Sequence, residues 1–311
     1  MILTVNLNPS TDIVAPVSSI EKGAVLRSKK ILSYPGGKAS NTARVLSLLG
    51  IRPVLAGFCG DSDLPGTIHF FLNHKINPDL IPVKGENRIC IILNEFSPVS
   101  ETVINSGSVF RAAPAQKTEL IKKIKQHSKI SPYTLISGSL PDCLPVTFYK
   151  TLINTIKRDT HVFLDASGKA LFHGIKAMPD TVKVNIDELS SAFNTTLDSE
   201  HKIKTTVSDL CRRYKIKTFI LTLGEKGFIH YSKERFVFFP PPGLKNIISS
   251  VGSGDAFSGG YLYAASMGFK GLTPAKYGAA CAYANLFNLG ACFITKSGIL
   301  KYLPLVSFRD Y

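Results

Sequence analysis

Tryptophan is absent from this chain of 311 residues, and methionine occurs only three times. The missing motifs say more. No apolar run approaches the roughly 20 residues that a membrane helix needs, so no membrane partner is expected. The opening Met1-Ile2-Leu3-Thr4-Val5-Asn6-Leu7 is too short, and lacks the basic flank, for a signal peptide; it reads as a first β-strand. Cys59, Cys90, Cys143, Cys211, Cys281 and Cys292 are scattered without a CxxC pair. That pattern fits reduced, structural thiols and a cytoplasmic location. The histidines form no HExxH spacing, which argues against a zinc site of that kind. Neither GxxxxGK[ST] nor GxGxxG occurs, so a Walker A loop and a dinucleotide fingerprint are both excluded. Acidic residues are scarce: Asp and Glu number 22 against 37 Lys and Arg, a formal charge of +15. The lysines are spread out, with only short clusters such as Lys122-Lys123-Ile124-Lys125 and Arg212-Arg213. These read as solvated helix faces, and no nucleic-acid partner is expected. A basic field also attracts phosphorylated small molecules.

Hydrophobic strands alternate with amphipathic helices along the whole chain. Strands are predicted at Met1–Leu7, Pro53–Phe58, Thr134–Ser137, Val162–Asp165, Thr181–Asn185 and Thr218–Leu223. Helices are predicted at Ala39–Leu49, Gln116–Gln126, Pro145–Lys157 and Lys202–Tyr214. This rhythm indicates an α/β fold, with a mostly parallel sheet covered on both faces. Ligands of such sheets sit at the carboxyl ends of the strands. Two regions break the pattern. Asp12–Tyr34 is extended, and Asn87–Asn94 and Glu101–Asn105 read as two strands joined by a Pro-containing turn. Residues of about 12–34 and 87–106 are expected to form a small β-sheet lid on a single domain spanning 1–311; the alternative is an ordinary edge hairpin.

The richest stretch is Ser249-Ser250-Val251-Gly252-Ser253-Gly254-Asp255, leading into Ala256-Phe257-Ser258-Gly259-Gly260-Tyr261. Its glycines allow a sharp turn and a close approach to a ligand. Phe257, Tyr261, Leu262 and Ala265 then recur at helical spacing, which predicts a helix starting at or near Gly254. The free N–H groups at such a start suit an oxyanion. An aspartate there can take the proton of an attacking hydroxyl. An anion hole beside a carboxylate base describes a phosphoryl-transfer site. The alternative is a loop with an N-capping aspartate.

Further polar motifs follow other strands. Asn8-Pro9-Ser10-Thr11-Asp12 offers Asp12 to sugar hydroxyls or to a turn cap. Pro35-Gly36-Gly37-Lys38-Ala39-Ser40-Asn41 is a second glycine-rich turn into a helix. Asn41 can both donate and accept, and Lys38 opposes the helix dipole unless it faces an anion. Ser137-Gly138-Ser139-Leu140-Pro141 offers a hydroxyl and N–H groups. Asn185-Ile186-Asp187-Glu188 can hold the water shell of Mg²⁺ or form a capping box. Thr222-Leu223-Gly224-Glu225-Lys226-Gly227 leaves room for phosphates or ribose.

This set resembles the ribokinase-like (phosphofructokinase B) carbohydrate kinases, from Asn8 to about Thr295. The specific motifs are Gly36-Gly37-Lys38-Ala39-Ser40-Asn41-Thr42-Ala43, with Gly50 and Gly60 beyond it, and Ser250-Val251-Gly252-Ser253-Gly254-Asp255 with Gly259-Gly260. Asn185 and Glu188 fit the family's NxxE motif. The resemblance implies a doubly wound α/β domain with a β-sheet lid, often shared in a homodimer. It implies ATP as co-substrate and Mg²⁺ as cofactor, and leaves open a monovalent cation near the anion hole. By resemblance Asp255 is the base, and the N–H groups of Gly252, Ser253 and Gly254 form the anion hole. Asp12, Gly37 and Asn41 bind sugar hydroxyls, while Asn185 and Glu188 organise Mg²⁺. Lys183 lies near the nucleotide phosphates. Thr222, Gly224 and Gly227 line the nucleotide site, with Ala279 and Asn285 near the base. Lys38, Arg88 and the Ser139 segment resemble the branch acting on sugar phosphates, the 1-phosphofructokinases and tagatose-6-phosphate kinases. Arg88 can grip a second phosphate bidentately, and Arg27 is a further candidate. The chain departs from the family at Ala39, usually a third glycine, at Ser249-Ser250, often Asp-Thr, and at Val184, often proline. The expected reaction is phosphorylation of a ketohexose monophosphate to a bisphosphate. The rivals are a kinase of an unphosphorylated sugar or nucleoside, and a non-catalytic sugar-phosphate sensor.

Overall fold

The computed structural model describes residues 1–96 and 99–311. In chain order the strands are β1 (Ile2–Asn6), β2 (Ser10–Val17), β3 (Leu32–Gly36), β4 (Val54–Gly60), β5 (Asn77–Val83), β6 (Arg88–Phe96), β7 (Val99–Asn105), β8 (Tyr133–Ser137), β9 (His161–Asp165), β10 (Thr181–Asn185), β11 (Thr218–Thr222), β12 (Phe228–Ser232), β13 (Arg235–Phe239) and β14 (Arg309–Asp310). The helices are α1 (Lys38–Leu48), α2 (Leu64–Asn73), α3 (Pro114–Ser128), α4 (Phe148–Ile156), α5 (Gly168–Ile175), α6 (Ile186–Phe193), α7 (Glu200–Tyr214), α8 (Ser253–Ser266), α9 (Thr273–Asn285) and α10 (Lys296–Tyr302).

The main sheet runs β14-β13-β12-β11-β10-β9-β8-β1-β4-β5. From β5 to β11 all pairings are parallel, and the β12–β14 edge is antiparallel. The chain winds from β1 outward through β4 and β5, then returns to the other side of β1 with β8. A crevice for ligands lies outside the carboxyl ends near such a reversal. Successive strand residues point to opposite faces, and the two faces carry separate cores. Val182, Val184, Phe219 and Leu221 meet α3–α7 on one side; Ile2, Phe163 and Ile220 meet α1 and α8–α10 on the other. The doubly wound α/β architecture expected from sequence is therefore the observed one.

A second sheet, β3-β2-β6-β7, stands apart from the first. It includes a parallel β2–β6 pair between antiparallel neighbours. This sheet, the expected lid, begins at Ser10, ahead of Asp12, and residues 18–31 between β2 and β3 carry no regular strand. The expected Pro-containing turn falls at residues 97–98, outside the described residues. α4 starts at Phe148, not Pro145, because the Phe148 N–H closes a turn onto the Pro145 carbonyl at 2.8 Å. No helix among the described residues is long and apolar enough to cross a membrane.

Candidate active site

Alternation along two neighbouring strands creates the centre of the site. Phe163 of β9 packs beneath α8, so Asp165 points the same way. Its neighbour across the pair is Lys183 of β10, one step beyond the Val182–Leu164 register. Lys183 Nζ donates to Asp165 Oδ2 at 2.8 Å, and both side chains are almost wholly buried. Ser258 of α8 also donates to Asp165, at 3.2 Å. Burial by itself would raise the Asp165 pKa; Lys183 and then Lys38 overcome it and hold the carboxyl below its ordinary value. Lys38 reaches Asp165 at 3.5 Å and Glu188 at 3.4 Å, and its side chain is 38% exposed. These contacts are longer than the 2.8 Å pair of Lys183 with the same carboxyl.

α8 starts at Ser253, one residue before the expected Gly254. Gly252 serves as its N-cap at φ +82°, a left-handed conformation that favours glycine. A Cβ there would also stand 2.5 Å from the Ala291 Cβ. Of the three N–H groups expected in the anion hole, that of Ser253 is tied to the Ser250 carbonyl at 3.1 Å. Among the described residues no partner takes the N–H groups of Gly254 and Asp255, so the donors continue one residue further into the helix than expected. The Asp255 carboxyl is buried beside them, 7% exposed. Asn41 Nδ2 donates to its Oδ2 at 2.7 Å. Burial pushes the Asp255 pKa up to about 6, opposed first by the Lys38 charge and reinforced by Asp165.

These groups face one cleft of about 1280 Å³, lined in part by the second sheet through Ser10, Asp12, Arg88, Cys90 and Ile92. On the lid side stand Asp12, Gly37, Lys38, Asn41 and Arg88. Asp12 lies against Gly36, where any Cβ would meet its carboxyl at 2.2 Å, and Ser10 Oγ donates to it at 2.5 Å. Burial raises its pKa. Arg88 is steered by the Asn105 side-chain oxygen at 2.7 Å and the Asn8 carbonyl at 3.4 Å. At the other end, Thr222, Gly224, Gly227 and Ala279 join an apolar wall that includes Pro241, Leu244 and Ile247. Such a wall suits a flat heterocycle. Gly252, Ser253, Gly254, Asp255, Lys183, Asn185 and Glu188 lie between the two ends.

Three expected residues lie outside the cleft lining: Arg27, exposed between β2 and β3, Ser139 and Asn285. Ser139 accepts a bond from Asn8 Nδ2 at 2.9 Å. Asn285 is buried and binds the Val251 carbonyl, Ser253 Oγ and the Cys292 N–H, so it braces the glycine turn from behind. Asn185 and Glu188 form the reciprocal capping box, with bonds of 2.7 and 3.1 Å. Glu188 still faces the cleft, so the pair fits Mg²⁺ held through its water shell. A direct cage has no support: no group of three His, Cys, Asp or Glu among the described residues is arranged to hold a metal. Sequence reading missed Asp165, although an acid ending a buried strand, Val162-Phe163-Leu164-Asp165, was a usable signal. It also missed Arg44 and Glu101, for which the sequence carries no comparable signal.

A profile of the pfkB family of carbohydrate kinases matches residues 6–297. The 1-phosphofructokinase of Borreliella burgdorferi is 28% identical over 298 residues, 94% of each chain. The tagatose-6-phosphate kinase of Staphylococcus epidermidis is 30% identical over 267 residues, 82% of each chain. Phosphofructokinase-2 from Escherichia coli, solved in complex with potassium, superposes with a TM-score of 0.89 at 21% identity, covering 97% of this chain and 98% of that one. Its tetrameric inhibited form superposes at 0.87 and 20% identity over the same shares.

Proposed function

The chain belongs to the pfkB family of carbohydrate kinases, and from that premise we propose that it transfers the γ-phosphoryl group of ATP to a hydroxyl of a ketohexose monophosphate, giving a bisphosphate. The observation that carries the substrate class is Arg88, which lines the cleft from the second sheet, beside Asp12. A free sugar has no need of a guanidinium there, whereas a phosphate is matched by one. The names of the relatives above agree with this class.

Ionised Asp255 accepts the proton of the attacking hydroxyl. The oxygen–phosphorus bond to the substrate forms as the bond to the bridging oxygen breaks, and ADP leaves. Asn41 holds one carboxylate oxygen of Asp255 and leaves the other for the hydroxyl. The free N–H groups at the start of α8 face the phosphoryl oxygens, where charge develops. Asp12, Gly37 and Asn41 orient the sugar. Lys38 swings from Asp165 and Glu188 toward a phosphate, and Lys183 supplies a fixed charge beside the nucleotide. Asn185 and Glu188 hold the hydrated Mg²⁺, which neutralises nucleotide phosphate charge when bound. Thr222, Gly224, Gly227 and Ala279 border the nucleotide, and Asn285 supports the turn. A monovalent cation near the anion hole is left open; Phosphofructokinase-2 from E. coli was solved in complex with potassium. The lid is shared between two copies of the chain.

A second reading, a kinase of an unphosphorylated sugar or nucleoside, rests on Lys38 already having carboxylate partners in Asp165 and Glu188. Mg²⁺-dependent ATP consumption separates the two. The panel is fructose 1-phosphate, fructose 6-phosphate, tagatose 6-phosphate, fructose, ribose and adenosine. Turnover confined to a phosphorylated ketose is expected, with KM raised at least tenfold in Arg88→Ala. Turnover only with fructose, ribose or adenosine would overturn the proposal.

A further inference from the structure

Arg44 lies one turn beyond Asn41 on α1, outside the cleft, and the reaction above makes no use of it. It is 4% exposed, and no carboxylate among the described residues pairs with it at ion-pair distance. Its guanidinium sits 4.8 Å from the Tyr34 ring centre and 4.5 Å from that of Phe293. Burying a cation without a counter-ion is costly. The fold keeps one where an apolar side chain would fill the space.

We propose that Arg44 is a positioning residue for phosphoryl transfer: it fixes the Asn41 amide toward Asp255 and ties the lid and the backing of the anion hole to the same group. Arg44 Nη2 donates to Asn41 Oδ1 at 2.7 Å. An arginine can only donate, so the flipped amide, with its NH₂ toward Arg44 and its oxygen toward Asp255, is excluded. The Asn41 NH₂ is thereby committed to Asp255 Oδ2. Nη2 also donates to the Ala291 carbonyl, and Ala291 is the residue packed against Gly252 at the start of α8. Nη1 donates to the Pro35 carbonyl at 3.2 Å. Pro35 belongs to lid strand β3 and precedes Gly36, on which the Asp12 carboxyl rests. One side chain thus sets the register of base, anion hole and sugar-binding strand.

The inference rests on Asp255 acting as base. The charged and titratable groups around Asp255 are Lys38 at the start of α1, Asp165 of β9, Lys183 of β10, Cys292 from the loop behind the turn, and Arg44 itself. The test uses the full chain with Arg44→Lys, which keeps charge and stem but loses the fork. Arg44→Gln is made in parallel, so that one variant failing to fold leaves the test standing. With folding checked by thermal melting, kcat is expected to fall at least tenfold. The acid limb of kcat/KM should move to higher pH, because a carboxylate that loses a fixed donor binds its proton more tightly. Asn41→Ala should give the same displacement, and adding Arg44→Lys to it should change the limb no further. An unmoved limb, or displacements that simply add, would overturn the proposal. The two readings fail separately: full turnover in Asp255→Asn defeats the base, while a dead Asp255→Asn with an unmoved limb in Arg44→Lys defeats only Arg44.

Discussion

Asp255 carries a conflict between stability and chemistry. Burial raises its pKa from 3.8 to about 6. Between those values the folded protein holds a proton that the unfolded chain has released, so stability falls as pH rises through that window. Above pH 6 the full cost is present, on the order of 3 kcal/mol at about 1.4 kcal/mol per pH unit. Asp255→Asn removes it. The variant is expected to melt at a higher temperature than the wild type at pH 8, with the difference gone below pH 3.8; calorimetry at both pH values checks this. Turnover should fall by about 10²–10⁴, the usual worth of a positioned base. For the wild type, kcat/KM is expected to decline below pH 6 as the base takes up its proton. Lys183 and Lys38 show the same residue type in two settings: one is held in a buried pair, and the other is more exposed and makes longer contacts.

At the scale of elements, the lid is joined to the catalytic turn by Glu101 of β7. Its carboxylate accepts bonds from the Ser250 N–H at 2.8 Å and Ser250 Oγ at 2.6 Å, and from Ser249 Oγ. Asn94, its register partner on β6, holds it from behind at 2.9 Å. These serines stand just ahead of Gly252, so lid position and anion-hole geometry are coupled. Hydrogen bonds to a charged group are worth about 1.5–3 kcal/mol each. Glu101→Ala is expected to lower kcat at least tenfold and to speed hydrogen exchange at Ser250–Gly252. Glu101→Gln, which keeps an acceptor for the Ser250 N–H, should lose less. Unchanged exchange in Glu101→Ala would show that the lid does not hold the turn. The helices and strands flanking this region were legible through their periodicity, but the β12–β13 hairpin was not. Its turn places Lys233 and Glu234 at φ +50° and +60°, where Asn-Gly is the recognisable signal.

For the whole molecule, the charge of +15 lies mostly away from the cleft. Along the cleft, Lys38, Arg88, Lys183 and Lys226 are balanced by Asp12, Glu188, Glu225 and Asp255. A local balance of that kind makes the ligand phosphates depend on placed donors more than on net field. The second sheet has an apolar outer face: Ile89 and Ile104 are each more than two-fifths exposed, and Ile91, opposite Ile104, and Leu93 alternate with Ile89 on the same side of β6. Large apolar patches of this sort mark contact surfaces. Light scattering is therefore expected to give twice the chain mass of 33.8 kDa, and Ile104→Arg to return the monomer. A wild-type mass of one chain would contradict the shared lid.

The α/β class, the alternation of strands and helices, and the glycine-rich turns at Gly36 and Gly252 could be read from the chain alone. These are local matters: residue periods of 2 and 3.6, and backbone that only glycine accommodates. The sequence also pointed to Asp255 and Asn41 through their glycine-rich motifs, and to Arg88 through the resemblance to kinases of sugar phosphates. Which of the chain's charges meet is set by the packing of distant segments. Asp165 and Lys183 are neighbours through strand register, and Arg44 reaches Asn41, Pro35 and Ala291 across three elements. Glu101 meets residues nearly half the chain away. Burial and long-range contact fix those partners, and neither is written in any local stretch of sequence.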